Sequence, residues 1–324
     1  MHRLARPALT LLLALAAVCS LTLSGCKSCG GGPAGKTRVA VSIYPVYDLV
    51  KRVAGPDADV SLLLPPGKNE HTFDPTPHDV EEVAKSSLGV MVGLGLDPWM
   101  ERLMKDAAPK AKLLRVGDRV PTRKVELEAI GEEEAHHHGE KHGGKDDDDD
   151  HDHEKGALDP HVWLDPQNAR LIVRAFAEEI AKLDAAHAVA YRQRASALED
   201  SLEALDKELE ARTKALPKKG FVTFHGSFGY FAARYGLTVL AVIEPFPGAT
   251  PTGDYVQKVL TVIKAKQVPA LYSEPQLDPR PAKVLSDEAK VPLGVLDPVG
   301  GGAETDSYEK TLRFNVAQLE KYQK

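Results

Sequence analysis

Short runs rich in β-branched residues alternate with segments of helical periodicity along most of this chain. That alternation restricts the fold more than any other feature. Ahead of residue 117, the runs 38–43 (RVAVSI), 60–64, 89–94 and 112–116 predict strands. Between them, a helix starting at 46–53 and helices at 77–85 and 98–107 are expected, the second opened by Thr76 as N-cap and Pro77 at the first helical position. Strand–helix–strand order is the mark of a parallel sheet with helices on its faces. The last third repeats it, with strands at 221–224, 238–242, 270–272 and 293–296 and helices at 228–235, 255–266, 282–289 and 308–322. The expected fold class is α/β, with two parallel-sheet domains.

Two helices fill the space between these blocks. Asp165-Pro166 is a cap-plus-proline start for a helix ending near residue 183, and Asp184 is placed to cap a longer one that Pro217 stops. In the longer helix Tyr191, Ala195, Leu198, Leu202, Leu205 and Leu209 form one narrow apolar seam on a charged rod. About thirty residues at 1.5 Å each span roughly 45 Å. A seam under three heptads is short for a coiled coil, so the helix is read as packed within its own chain and the protein as a monomer. The organisation expected is a first α/β domain at 37–165, linking helices at 166–216 and a second α/β domain at 217–324.

Residues 1–25 do not belong to the fold. Arg3 and Arg6 precede an apolar run from Ala8 to Val18, a signal-peptide core too short to span a bilayer, which needs about 20 residues. It ends in Leu23-Ser24-Gly25-Cys26, similar to the lipobox of bacterial lipoproteins. Cleavage before Cys26 and lipidation of its sulfur are therefore expected, with 26–36 as a Gly-rich tether. The chain is thus expected outside the cytoplasm, lipid-anchored to a membrane.

A second segment, 131–155, contains His136, His137, His138, His142, His151 and His153, with eleven acids against three Lys. It cannot bury apolar surface and is expected to be disordered. Outside it and the signal, 36 basic residues balance 36 acidic ones, so the formal net charge of −6 originates in this loop. A net-acidic chain is a poor partner for nucleic acid. Three Cys in 324 residues cannot build a disulfide scaffold.

Of the six His outside the loop, His2 lies in the signal, and His78 and His187 read as surface residues near helix starts. His71 follows the strand VSLLL through a Pro-Pro-Gly loop, His161 sits in DPHVWLDP before a helix start, and His225 directly follows FVTF. Asp297 follows the strand LGVL. Ligands of open parallel sheets bind at the carboxyl ends of strands. Three imidazoles and a carboxylate converging there would suit a borderline divalent metal such as zinc. Each of these His taken alone also reads as an ordinary turn residue, so spacing by itself leaves the site open.

The stretches SIYPVYDLV (42–50), LLPPGKNEHTFDPTPHDV (63–80), DPHVWLDPQNA (159–169), FHGSFGYFAARYGL (224–237), YSEPQLDPRPAKVL (272–285) and LDPVGGGAETDSY (296–308) occur in one order. Together with the lipobox and the acidic His loop, they resemble the zinc-uptake branch (ZnuA/TroA-like, cluster A-I) of the solute-binding proteins of ABC transporters. The resemblance covers 37–324. It implies two α/β domains around a metal, with His71, His161 and His225 as ligands. It also implies capture of Zn2+ for delivery to an ABC permease and its ATPase. Manganese-selective relatives often carry Glu at the position of His225, so His here tilts the choice to zinc.

For the fourth ligand the resemblance offers Asp297 or Glu70. Asp297 is favoured, because adjacent side chains in an extended segment point to opposite faces and Glu70 and His71 could share an ion only through a local turn. Glu274 is expected to hydrogen-bond rather than ligate. The turn EPFPGATPTGDY and the lack of a Cys pair in the second domain depart from the family pattern. The His-rich loop is read as a low-affinity metal segment (a collector or a sensor) or as a solvated spacer. Other functions weighed are manganese binding, a metal-dependent adhesin and, least favoured, a secreted zinc hydrolase. No HExxH is present, and four ligands would close the open position that catalytic zinc keeps.

Overall fold

The computed structural model describes residues 36–125, 157–245, 248 and 251–324. The signal segment, Cys26, the tether up to residue 35 and the His-rich loop with its six histidines lie outside the described residues.

The first half runs β1 (Thr37–Val41), α1 (Tyr44–Ala54), β2 (Ala58–Leu62), α2 (Pro77–Ala84), β3 (Leu88–Met91), α3 (Pro98–Ala107) and β4 (Lys112–Arg115). Its four strands are parallel in the order β2-β1-β3-β4. After α4 (Pro166–Leu183) and α5 (Ala188–Lys214), the second half runs β5 (Gly220–Thr223), α6 (Gly229–Tyr235), β6 (Thr238–Val242), α7 (Gly253–Ala265), β7 (Leu271–Ser273), α8 (Arg280–Ala289), β8 (Leu293–Val295) and α9 (Tyr308–Tyr322). Its parallel sheet has the order β6-β5-β7-β8, the same winding as the first. In each half the chain leaves the first strand to one side and returns on the other. This creates a switch point at the carboxyl ends of β1 and β3, and of β5 and β7.

Local chemistry places the elements where the sequence expects them. Thr76 caps α2 in a reciprocal box: its hydroxyl accepts from the Asp79 N–H and the Asp79 carboxylate accepts from the Thr76 N–H at 2.7 Å. Asp165 Oδ1 accepts from the Gln167 N–H at 2.8 Å and starts α4. Asp184 differs from expectation. A short 3-10 turn, Ala185–His187, separates it from α5. Its carboxylate receives the Tyr191 hydroxyl and pairs with His187 Nδ1 instead of capping the helix. His78 and His187 are both exposed.

The six seam residues of α5 are all buried, in the same apolar cluster as the inner faces of both sheets, α1, α4 and α9. The seam is filled from within one chain, as a single packed helix requires. Asp206, at an inward position of α5, accepts hydrogen bonds from Gln167 of α4 and from Arg234 and Tyr235 of α6. The linking helix is thereby fixed to the second half. Two smaller clusters cover the outer faces, one under α2 and α3 and one under α7 and α8.

Candidate metal centre

Glu70, His71, His161 and His225 each present one ligand atom, and these atoms all lie within 4.8 Å of one another. Among the described residues this is the one such group of metal-ligating side chains.

Glu70 and His71 arrive on the loop that follows β2. Backbone pairing continues past that strand, Leu63 and Leu64 donating to Val41 and Ser42, before Pro65-Pro66-Gly67 turns the chain out. Asn69 Oδ1 then accepts from the His71 N–H at 2.8 Å, an Asx-type turn. The Trp99 indole donates to the Glu70 carbonyl at 3.3 Å and holds the loop from below. This is the local turn that lets two neighbouring side chains face one point.

His161 leads into the 3-10 turn Val162–Leu164 ahead of α4. His225 follows β5 and opens another, Gly226–Phe228. Both imidazoles are buried, at 4% and 3% exposure, whereas His71 is half-buried.

Carboxylates fix the two buried rings. Asp159 Oδ1 lies 2.9 Å from His161 Nδ1 and also accepts the His161 N–H at 3.0 Å. Glu274 Oε2 lies 2.7 Å from His225 Nδ1, while its other oxygen accepts from the His225 N–H and the Ser227 hydroxyl. A ring that gives its Nδ1 proton to a carboxylate turns the Nε2 lone pair toward the site. The two Nε2 atoms stand 3.2 Å apart. Two nitrogens bound tetrahedrally to zinc at 2.0–2.1 Å would be about 3.3 Å apart, so the pair already has the spacing of one edge of a zinc tetrahedron. The three rings surround a common point, with centroids 5.1, 5.4 and 5.5 Å apart.

Electrostatics shift His225 toward its protonated form. Burial favours neutral His225, but the charge and hydrogen bond of Glu274, with Glu70 and Asp159 behind, outweigh it and raise its pKa above the ordinary histidine value. A proton on His225 Nε2 relieves the repulsion of two facing lone pairs, and a metal would take its place. Burial raises the pKa of Glu70, opposed by His225 and His161. Glu70 Oε1 is buried with no hydrogen-bond partner among the described residues. A stranded carboxylate oxygen costs about 1–3 kcal/mol or more, and a cation beside it removes that cost.

Asp297 stands differently from the expectation that favoured it. It is buried at the carboxyl end of β8 but outside the group of converging atoms. Its Oδ1 accepts from Gln276 Nε2 and the N–H groups of Val299 and Gly300, and its Oδ2 from the Thr305 hydroxyl. These four donors tie the carboxylate to its own loop, and Glu70 is the carboxylate that lies with the three histidines. Glu274 hydrogen-bonds, as expected. The part played by Asp159 escaped the sequence reading, although the spacing Asp159-Pro160-His161 signals it. Asp159 ends a short antiparallel contact, Lys124 with Leu158, its N–H bonded to the Arg123 carbonyl.

Residues 39–322 match the family described as zinc-uptake complex component A, periplasmic (ZnuA). The high-affinity zinc uptake system protein ZnuA of Brucella abortus is 30% identical over 305 residues, covering 88% of this chain and 91% of that protein. The zinc-binding protein AdcA of Streptococcus pyogenes is 30% identical over 291 residues, but the chain spans only 56% of its length. The periplasmic zinc-binding protein TroA of Treponema pallidum superposes with a TM-score of 0.76 at 22% identity, over 89% of this chain and 99% of that one.

Proposed function

The chain belongs to the ZnuA family of periplasmic zinc-uptake components, and from that premise we propose that it captures Zn2+ outside the cytoplasm and passes it to an ABC permease driven by its ATPase. The observation that carries this reading is the convergence of Glu70, His71, His161 and His225 on one point. Three imidazoles and one carboxylate are the donor set of a borderline ion, whereas manganese prefers more oxygen. Four protein donors can replace the hydration shell completely, which serves capture and leaves no open position for a catalytic water. The protein works by binding, not catalysis.

Residues 37–165 and 217–324 act as the two domains, with 166–216 between them, and the ion sits where both contribute. Lipidation of Cys26 keeps the monomeric carrier at the membrane surface, where its permease is. No helix among the described residues is long and apolar enough to cross a membrane. The loop histidines His136, His137, His138, His142, His151 and His153 add weaker metal binding.

Metal-depleted protein should take up one tightly held Zn2+ per chain and keep it against a large excess of Mn2+. At a thousandfold excess over Kd, binding only to the native state adds about 4 kcal/mol, read as a rise of several degrees in Tm. A melt indifferent to zinc at neutral pH, or zinc displaced stoichiometrically by equimolar Mn2+, would overturn the reading.

A further inference from the structure

We infer that the loop after β8, residues 298–301, is a latch that sets the position of both ligand-bearing segments of the first half, with Trp163 and Gly301 as the positioning residues through which it acts. The inference rests on the metal-site reading above.

Trp163 lies two residues beyond His161, is 1% exposed, and its ring is centred 5.3 Å from that imidazole. Its indole N–H and its carbonyl are both held by the second half. Its indole N–H donates to the Pro298 carbonyl at 2.7 Å, and its own carbonyl accepts from the Tyr308 hydroxyl at 2.6 Å. The turn carrying His161 is therefore gripped from across the site.

Gly301 provides the other contact. Its φ is +86°, and a Cβ there would stand 3.1 Å from ring atoms of Tyr44 and 3.2 Å from Cβ of Pro66. Pro66 belongs to the loop that delivers Glu70 and His71. One short loop of the second half thus meets both ligand segments of the first, by a hydrogen bond at Trp163 and by close packing at Pro66.

The loop is stiff enough to transmit position. The Gly301 N–H donates to the Thr305 carbonyl at 2.8 Å, and Asp297 ties the N–H groups of Val299 and Gly300. Asp297 itself is fixed by two hydrogen bonds between its backbone and the Asn315 side chain. The buried carboxylate that does not reach the histidines therefore holds the latch. Any shift between the halves moves Pro298 and Gly301 together, and with them His161 and the Glu70–His71 turn.

The test compares zinc release from the full chain and two variants, using a chelator chase in stopped flow, beside the melting temperature of each metal-free protein. Trp163→Phe keeps an aromatic ring in the buried position and removes the N–H together with the rest of the fused ring. Gly301→Ala adds one methyl against Tyr44 and Pro66 and touches no ligand. Each should release zinc about tenfold faster, with association nearly unchanged, since interface defects act mainly on dissociation. Leu285→Ala, in the core under α8, is the control: it should lower the melting temperature and leave the release rate alone. Parental release rates in both latch variants, whatever their melting temperatures, would overturn the latch while leaving the metal site standing. So would equal acceleration in Leu285→Ala. A parent chain that holds no zinc would overturn the site and the latch with it.

Discussion

Replacing Glu274 by Gln tests the electrostatics of the site more sharply than deleting a ligand. The two side chains are nearly the same size, so the buried position, 3% exposed, stays filled. What changes is the charge 2.7 Å from His225 Nδ1. With a neutral partner the imidazole becomes a weaker donor to the metal, and loss of such an outer partner typically costs 10–100-fold in affinity, about 1.4–2.7 kcal/mol. The same change lowers the His225 pKa, because Glu274 is the main influence raising it.

These effects oppose each other with pH. In the parent, protons compete with zinc at His225 from a higher pH downward, so acid costs the parent more than the variant. The variant's deficit should be largest near pH 8 and narrow toward pH 6. Folding stability of the metal-free chain carries the same sign. A raised folded-state pKa contributes stability fully present below the unfolded value of about 6.5 and lost as pH rises through the folded pKa. Glu274→Gln should flatten that slope. Competition titrations with a chromophoric chelator at both pH values, with metal-free melts alongside, read all three quantities. Undiminished affinity at pH 8, or a deficit that widens on acidification, would refute the reasoning.

Three further outcomes follow from the geometry. Glu70→Ala should weaken zinc binding more than Asp297→Ala in calorimetry, whereas Asp297→Ala, which strands the N–H groups of Val299 and Gly300, should cost at least about 2 kcal/mol of folding stability. Cys26→Ala should move the protein from the membrane to the soluble fraction in a cell fractionation, and unchanged fractionation would exclude lipidation there. Deleting 131–155 should remove weak, multiple-site zinc uptake and keep a one-to-one event, and loss of the tight event would place a true ligand in that segment.

The alternation of strands and helices, the Thr76 cap, the α5 seam and the placing of three histidines after strands or before a helix were all legible from residues near each other in the chain. Hydrophobic period and capping are local, and parallel strands put their carboxyl ends on one side wherever the sheet finally sits. For the same reason His71, His161 and His225 could be singled out without knowing how the halves pack. Only the tertiary structure places Glu70 beside the three histidines and Asp297 outside that group. The period-two rule that pointed Glu70 away from His71 holds for extended chain, and the Asn69 side chain breaks the extension at that point. Whether Asp297 has an oxygen to spare depends on Gln276, Thr305 and its neighbouring N–H groups, and its backbone is fixed by Asn315, eighteen residues on. Asp184 repeats the lesson, its carboxylate drawn to Tyr191 and His187 rather than to the helix end. Sequence pattern records which groups can bind. Which of them remain uncommitted is decided by donors that only folding brings within about 3 Å.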